Sequence, residues 1–307
     1  MASTAASLSA QSVRVADSLL RQGLVQRAES EYYAASRMRP RDPDARYALG
    51  KYLLDRGAFR IGATLIDEAM QFGYDKSAGS STLARVYMNL GEYETIGRLP
   101  VATLSSDEQA QVRWLAARPS RASTADSSIL VAFNRTGIDG YIGALRLRLN
   151  GQPIVALVSP RSTCGLRIVD TASIGRSLHR FAASAQSSDR VIATADSIGF
   201  GRSSISNIPV VIDRRRDAPQ AVICFGLLAR YAPTFDPRAN LMTLHMTGVA
   251  PPPGSRALVA PIMDIGGDYT VLRSGKWTPI VLPDVAAMLR DRRWTFDPRR
   301  RQITIEP

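Results

Sequence analysis

"PIVALVSPRSTCGLRI", residues 153 to 168, decides the fold. It opens as an apolar strand and then runs into Ser159-Pro160-Arg161-Ser162-Thr163, where a glycine-bearing turn would be expected. Upstream, "ALRLRL" alternates apolar and basic residues, the period of a half-buried strand, and Asn150-Gly151 supplies a tight hairpin turn before "PIVALV" returns as a more buried strand. Downstream follow "SSISNIPVVID", the apolar "AVICFGLL" and "TFDPRANLMTLH". Together these runs predict a mainly β core with few helices.

The chain has 307 residues, 45% hydrophobic and 21% charged, enough for one large core or two modest ones. No apolar run reaches the roughly 18 to 20 residues that a membrane-spanning helix needs. "MASTAASLSAQS" lacks the basic start and apolar centre of a signal peptide, and a signal already removed would leave the same picture. The formal charge is +12, nearly all from arginine, with Lys51, Lys76 and Lys276 the only lysines. Residues 1 to 125 hold 16 basic and 13 acidic side chains, so the excess is mainly C-terminal. It suits an anionic polymer, a membrane surface or an acidic protein. No stacking-aromatic motif or recognition helix supports nucleic-acid binding.

The first hundred residues repeat. Gly23, Gly57 and Gly91 are spaced by 34, and Leu19, Leu53 and Tyr87 keep step with them. With the Leu49-Gly50 pair, Phe59 and Pro40, this pattern resembles the tetratricopeptide repeat. The resemblance implies helix pairs that stack because none can bury its apolar face alone. Ser105 with Glu108 offers a capping box for a closing helix. Such an array either presents a concave groove to a peptide or partner protein, or props up the domain behind it. Tyr32, Tyr47 and Tyr52 are the candidate groove contacts, with inter-repeat packing as their other reading. The boundaries are 1–117 for the helical repeat, 118–128 for a linker, 129–250 for the β domain and 251–307 for a β-rich extension.

The order of the β region, a strand, the Asn150-Gly151 turn, an apolar strand, a special loop, "NIPVVI", "ICFGLL" and "FDPRANLMTL", resembles the retropepsin-like aspartic proteases over roughly residues 141 to 245. The resemblance implies a retropepsin-like barrel, and it places Ser159, Pro160 and Arg161 where that family has Asp-Thr-Gly. Aspartic proteolysis needs two carboxylates close enough to share one proton. Serine does not ionise near neutral pH, Pro160 fixes its own φ, and Arg161 resists a backbone conformation that glycine tolerates. A non-catalytic loop is therefore expected. Against this, Asp264-Ile265-Gly266 in "PIMDIGGDYTVL" resembles the same active-site loop. Thr295-Phe296-Asp297-Pro298-Arg299 also echoes Thr234-Phe235-Asp236-Pro237-Arg238, 61 residues on, as a reduced second lobe would. The other reading of Asp264 is a hairpin that turns through Gly266-Gly267-Asp268.

The resemblance also lets Cys164, just after the loop, approach Cys224 on the neighbouring strand. A disulfide there would stabilise by about 4 kcal/mol and point to an oxidising compartment. Two reduced, buried thiols are the alternative. These cysteines with His179 and His245 show no metal-ligand spacing, and no motif calls for a cofactor. Arg214-Arg215-Arg216 reads as a solvated turn or an anion-binding patch. The expectation is a non-catalytic scaffold that binds a protein or peptide, periplasmic or secreted, with a cytoplasmic location as the alternative. The competing readings are an aspartic endopeptidase, active as a homodimer through Asp264, and a binder of anionic polymer or membrane surface.

Overall fold

The structure is a computed structural model that describes residues 2–99, 104–123, 126–136, 138–162, 165–169, 177–181, 189–214, 219–265, 268–281, 285, 288–289 and 291–307, with side chains from residue 11. Helices come first: α1 (Ala2–Arg21), α2 (Val25–Met38), α3 (Pro43–Asp55), α4 (Phe59–Gln71), α5 (Lys76–Leu90), the short α6 (Tyr93–Gly97) and α7 (Ser106–Ala117). Their starts are written in the sequence. Asp42 accepts hydrogen bonds from the backbone of Asp44 and Ala45 with Pro43 in the first turn, and Asp75 accepts from Ala78. Ser105 and Glu108 close the expected capping box on α7. Each helix packs on the next, and the buried seams hold Leu54, Ile66 and Leu83 in one layer and Tyr93, Val112 and Leu115 in the following one.

Next comes a closed six-stranded barrel of β3 (Gly143–Leu149), β4 (Gln152–Ser159), β5 (Leu166–Val169), β7 (Arg190–Phe200), β8 (Ser203–Asp213) and β9 (Ala221–Cys224). Its circuit runs β3-β4-β9-β5-β8-β7 and returns to β3 through Arg148 with Gly199 and Leu149 with Ile198. Closure leaves no open edge on these strands. Alternation sends Leu145, Val158, Ile168, Val210 and Ile212 to the fully buried interior. Asn150 and Gly151 lie at φ 48° and 84°, which makes the β3–β4 connection the expected tight hairpin. The segment read as a linker is tied down: β1 (Ala122–Ser123) pairs with β8 at Ile205 and Ser204. His179 lies on β6 (His179–Phe181), which pairs with β7 at Thr194.

The barrel continues, through pairing of Phe133 with Leu145 and Asn134 with Ala144, into an antiparallel extension with a local two-fold. This extension contains β2 (Ser128–Asn134), β10 (Thr234–Asp236), β11 (Leu241–His245), β12 (Leu258–Ile265), β15 (Trp294–Asp297) and β16 (Gln302–Ile305), in the order β12-β16-β15-β10-β11-β2. The two halves meet where the sequence echo predicts equivalence: Thr234 pairs with Thr295, and their hydroxyls lie 2.8 Å apart in a buried contact. The turns match as well. Asp236 accepts from Ala239 as Asp297 accepts from Arg300, both at 3.0 Å, and Asn240 and Arg301 both take positive φ. From this half, β13 (Asp268–Arg273) and β14 (Lys276–Pro279) continue outward as hairpins on β12. The echo at residues 295–299 thus belongs to a reduced second half of the sheet.

The helical array docks along one side of this β body through its repeat glycines. A Cβ on Gly23 would stand 2.5 Å from the Gly275 carbonyl oxygen, one on Gly57 3.0 Å from that of Arg299, and one on Gly91 2.8 Å from the Arg230 guanidinium. All three have positive φ, so the period of 34 places a left-handed turn at each docking point. Arg230 donates from Nε to the Asn89 carbonyl at 2.6 Å, at the C-terminal end of α5, where a cation is favoured. Trp277 donates from Nε1 to the Leu20 carbonyl at 2.7 Å, and Gln111 of α7 donates to the Ala193 carbonyl at 2.5 Å inside the seam.

Candidate functional site

The loop that follows β4 is gripped from two sides. Ser159 ends β4 in parallel register with Cys224, and it is 8% exposed. Its Oγ accepts from the Arg161 N–H at 3.4 Å. Below the loop, α8 (Phe225–Ala229) follows β9 directly, and the Gly226 N–H donates to the Arg161 carbonyl at 3.0 Å. A Cβ at Gly226 would fall 1.9 Å from the Ser162 carbonyl oxygen, so glycine alone permits this approach.

Above the loop lies the β12–β13 hairpin. Ile265 pairs with Asp268, so Asp264 lies on an arm of the β12–β13 hairpin; Gly266 and Gly267 lie outside the described residues. The hairpin end nevertheless rests on the Ser159 loop. Tyr269 N–H donates to the Pro160 carbonyl at 3.2 Å, Arg161 and Asp268 form an antiparallel bridge, and Ser162 Oγ donates to Asp264 Oδ2 at 2.6 Å. Ser162 is 1% exposed and Asp264 half-buried, so this hydrogen bond to a carboxylate is partly buried.

Behind Asp264 a second acid approaches from the helical array. Burial holds the Asp55 carboxyl above the usual carboxylate range. Lys51, at 3.0 Å, pulls it back, and the negative charge of Asp264 pushes it further up. Near them the Arg301 guanidinium lies between the Phe59 and Tyr269 rings, at 5.2 and 5.4 Å from their centroids. Its Nε and Nη1 are buried and have no hydrogen-bond partner among the described residues. Burial also raises the Tyr269 phenol.

Asp55 and Asp264 line a groove of about 470 Å³ between the helices and the β12–β13 hairpin. Tyr32, Tyr47 and Tyr52 line it too, together with Met263 and Trp277 of the β body. Tyr32 and Tyr52 are buried, stack at 5.0 Å, and donate to Asp17 and Glu29. Tyr47 stacks on Tyr74 at 3.9 Å and meets the Thr82 hydroxyl at 2.9 Å. Met263 packs into the same cluster as Tyr32, Leu49 and Tyr52, so part of the repeat surface is covered by the chain's own hairpin.

On the opposite side of the loop a cleft opens. One cavity of about 560 Å³ is lined by Ser159, Pro160, Arg161, Arg167, Arg190 and Asp268 among others. A second, of about 370 Å³, is lined by Phe133, Ile142, Ile280, Leu289 and Trp294 among others. Tyr141 and Val281 border both. Arg214, from the basic run, donates its backbone N–H to the Asp189 carbonyl at 2.9 Å, while Arg215 and Arg216 lie outside the described residues. Cys224 is disulfide-bonded; Cys164, the chain's other cysteine, lies outside the described residues. Among the described residues no three His, Cys, Asp or Glu side chains gather as a metal site, and no helix is long and apolar enough to cross a membrane.

Sequence reasoning missed Asp55 and Arg167, and it read Arg299 to Arg301 as a solvated turn or part of an anion-binding patch, whereas Arg301 is buried. Asp55 follows Lys51 by four residues and reads as a solvated helical ion pair. Arg167 carried a usable signal, the alternation of "LRIV" that turns it away from Leu166 and Ile168.

No family model and no curated protein matches the sequence. Among solved structures the chain is similar to a retropepsin-like aspartic protease from Rickettsia conorii, with 16% identity over 41% of this chain and 91% of that chain and a TM-score of 0.27. The site is therefore read from its own residues.

Proposed function

We propose that the chain is a non-catalytic binding scaffold: a helical repeat of tetratricopeptide type fused to a retropepsin-like lobe whose catalytic turn has lost its acid, and which holds an extended peptide in the cleft beside Ser159. The observation that carries this reading is the hydrogen bond from Ser162 Oγ to Asp264 at 2.6 Å. It commits the Asp264 carboxylate to an internal contact; Asp268, also beside the loop, faces Arg161 at 3.9 Å, and Ser159 offers no acid to share a proton. Asp55 does not replace that partner, because it is engaged by Lys51 on the helical side of Asp264. Recognition by main-chain pairing and side-chain pockets needs no catalytic acids.

The test is cleavage of an unfolded protein substrate between about pH 2 and 7, which covers the acid range in which two carboxylates share one proton. Neither the wild type nor Asp264→Asn should cleave. Cleavage by the wild type that disappears in Asp264→Asn would establish the dimeric endopeptidase instead. In the same reading Cys224 is bonded to Cys164 and the protein works in an oxidising compartment, periplasmic or secreted. A free thiol at Cys164 in protein taken from its native host would refute both statements.

A further inference from the structure

The two cavities beside Ser159 differ in chemistry and share a wall. The larger places Arg161, Arg167 and Arg190 against Asp139 and Asp268, a basic surplus at the position where aspartic proteolysis would need acids. The smaller is lined mainly by apolar side chains, Phe133, Ile142, Ile280, Leu289 and Trp294, with Arg135, which pairs with Asp291, and Thr136 beside them. Tyr141 and Val281 line both, so the two cavities adjoin, a cationic one beside a mainly apolar one, and are treated together as a cleft. Each volume lies within the range of ligand pockets, roughly 300 to 1,000 Å³.

Resting on the scaffold reading, we infer that this cleft selects an acidic extended peptide, with a carboxylate side chain at the arginine end and a large apolar side chain at the Phe133–Trp294 end. Arg161 is poised for this exchange. Its side chain is 64% exposed, and its contact with Asp268, itself 44% exposed, is long at 3.9 Å. A surface pair of that length contributes little, so an incoming carboxylate displaces Asp268 at small cost. Arg167 projects from β5 while Leu166 and Ile168 face the barrel interior, so its charge is presented without disturbing the core. In an extended peptide, side chains two residues apart share a face, which lets one segment fill both ends at once.

The experiment is fluorescence anisotropy on the full chain with labelled peptides of about eight residues, long enough to span a strand-sized site. One carries a central Glu with Phe two residues away, and its counterpart carries Gln for Glu. The Glu peptide should bind at least tenfold tighter, about 1.4 kcal/mol, and the advantage should shrink in Arg161→Ala/Arg167→Ala and at high salt. Equal binding of both peptides, unchanged in the double variant, overturns the acidic specificity and leaves the peptide scaffold standing. Failure of both peptides to bind the folded chain overturns the scaffold reading as well. Binding of laurate but of neither peptide assigns the cleft to a small amphipathic anion and refutes the peptide.

Discussion

The docking of the helical array makes a prediction whose control is built into the same array. Gly23 and Gly73 are both left-handed, at φ 77° and 107°, but Gly23 turns toward the β body and Gly73 has nothing within 4 Å of a built Cβ. Replacing Gly73 with alanine therefore adds backbone strain alone, about 1 to 2 kcal/mol for a side chain held in left-handed conformation. Gly23→Ala adds the same strain, and its methyl also meets the Gly275 carbonyl oxygen at 2.5 Å and Leu272 Cδ1 at 2.6 Å. Leu272 can change rotamer, but the carbonyl moves only with the β13–β14 hairpin. Overpacking of that kind costs about 1 to 3 kcal/mol more. Urea unfolding followed by helix circular dichroism and by tryptophan fluorescence should show the Gly23→Ala midpoint at least about 1 kcal/mol below that of Gly73→Ala at unchanged slope. Both probes should report one transition in the wild type, because Trp277 is bonded to Leu20 across the seam. Equal losses in the two variants, or separate transitions in the wild type, would refute the docking argument.

Two further expectations concern the contacts around Asp264. Burial raises the Asp55 carboxyl, so between the unfolded and folded pKa values the folded chain keeps a proton that the unfolded chain has lost. This group's contribution to stability therefore falls as pH rises from about 4 through the folded value and then levels off. Asp55→Asn should gain stability relative to the wild type across that rise, measured by urea midpoints at successive pH values, and a constant difference would show that Asp55 titrates normally. For the partly buried bond between Ser162 and Asp264, a double-mutant cycle of Ser162→Ala and Asp264→Ala should give a coupling of about 1.5 to 3 kcal/mol, the range for a hydrogen bond to a charged group. A coupling below about 0.5 kcal/mol would mean that the hairpin rests on the loop through backbone contacts alone.

Much of the architecture is legible because it follows local periodicity. The alternation of "ALRLRL" and the Asn150-Gly151 turn determine β3, β4 and their connection without help from distant residues. The 34-residue step locates Gly23, Gly57 and Gly91 at left-handed turns. It says nothing of what those turns face, since Gly275, Arg299 and Arg230 lie far along the chain. The echo of Thr234-Phe235-Asp236-Pro237-Arg238 identifies equivalent segments, but only strand register reveals that Thr234 pairs with its own equivalent Thr295. Asp264 shows the same boundary between local and non-local information. Its hairpin is readable from Gly266-Gly267, whereas its contact with Ser162 depends on β12 being placed by β16 across the two-fold.

This geometry also explains why the two ends of the cleft answer to different experiments. Trp294 is 2% exposed, stacks on Phe235 at 4.2 Å, and belongs to the strand that pairs the two halves of the sheet. Truncating it would empty the core, at a typical cost of 3 to 5 kcal/mol, before any ligand was lost. The apolar end thus serves folding and recognition through the same atoms, and a binding defect there is uninterpretable. Arg161 and Arg167 differ: one is largely exposed and the other points out of the barrel, so neither supports the fold through its charge. A loop without acidic side chains of its own can change its side-chain charge while β4, α8 and the hairpin hold its backbone through Pro160, Arg161 and Ser162. Specificity can therefore reside in the side chains of a loop whose backbone is already committed to stability, and that is where a charge reversal is informative.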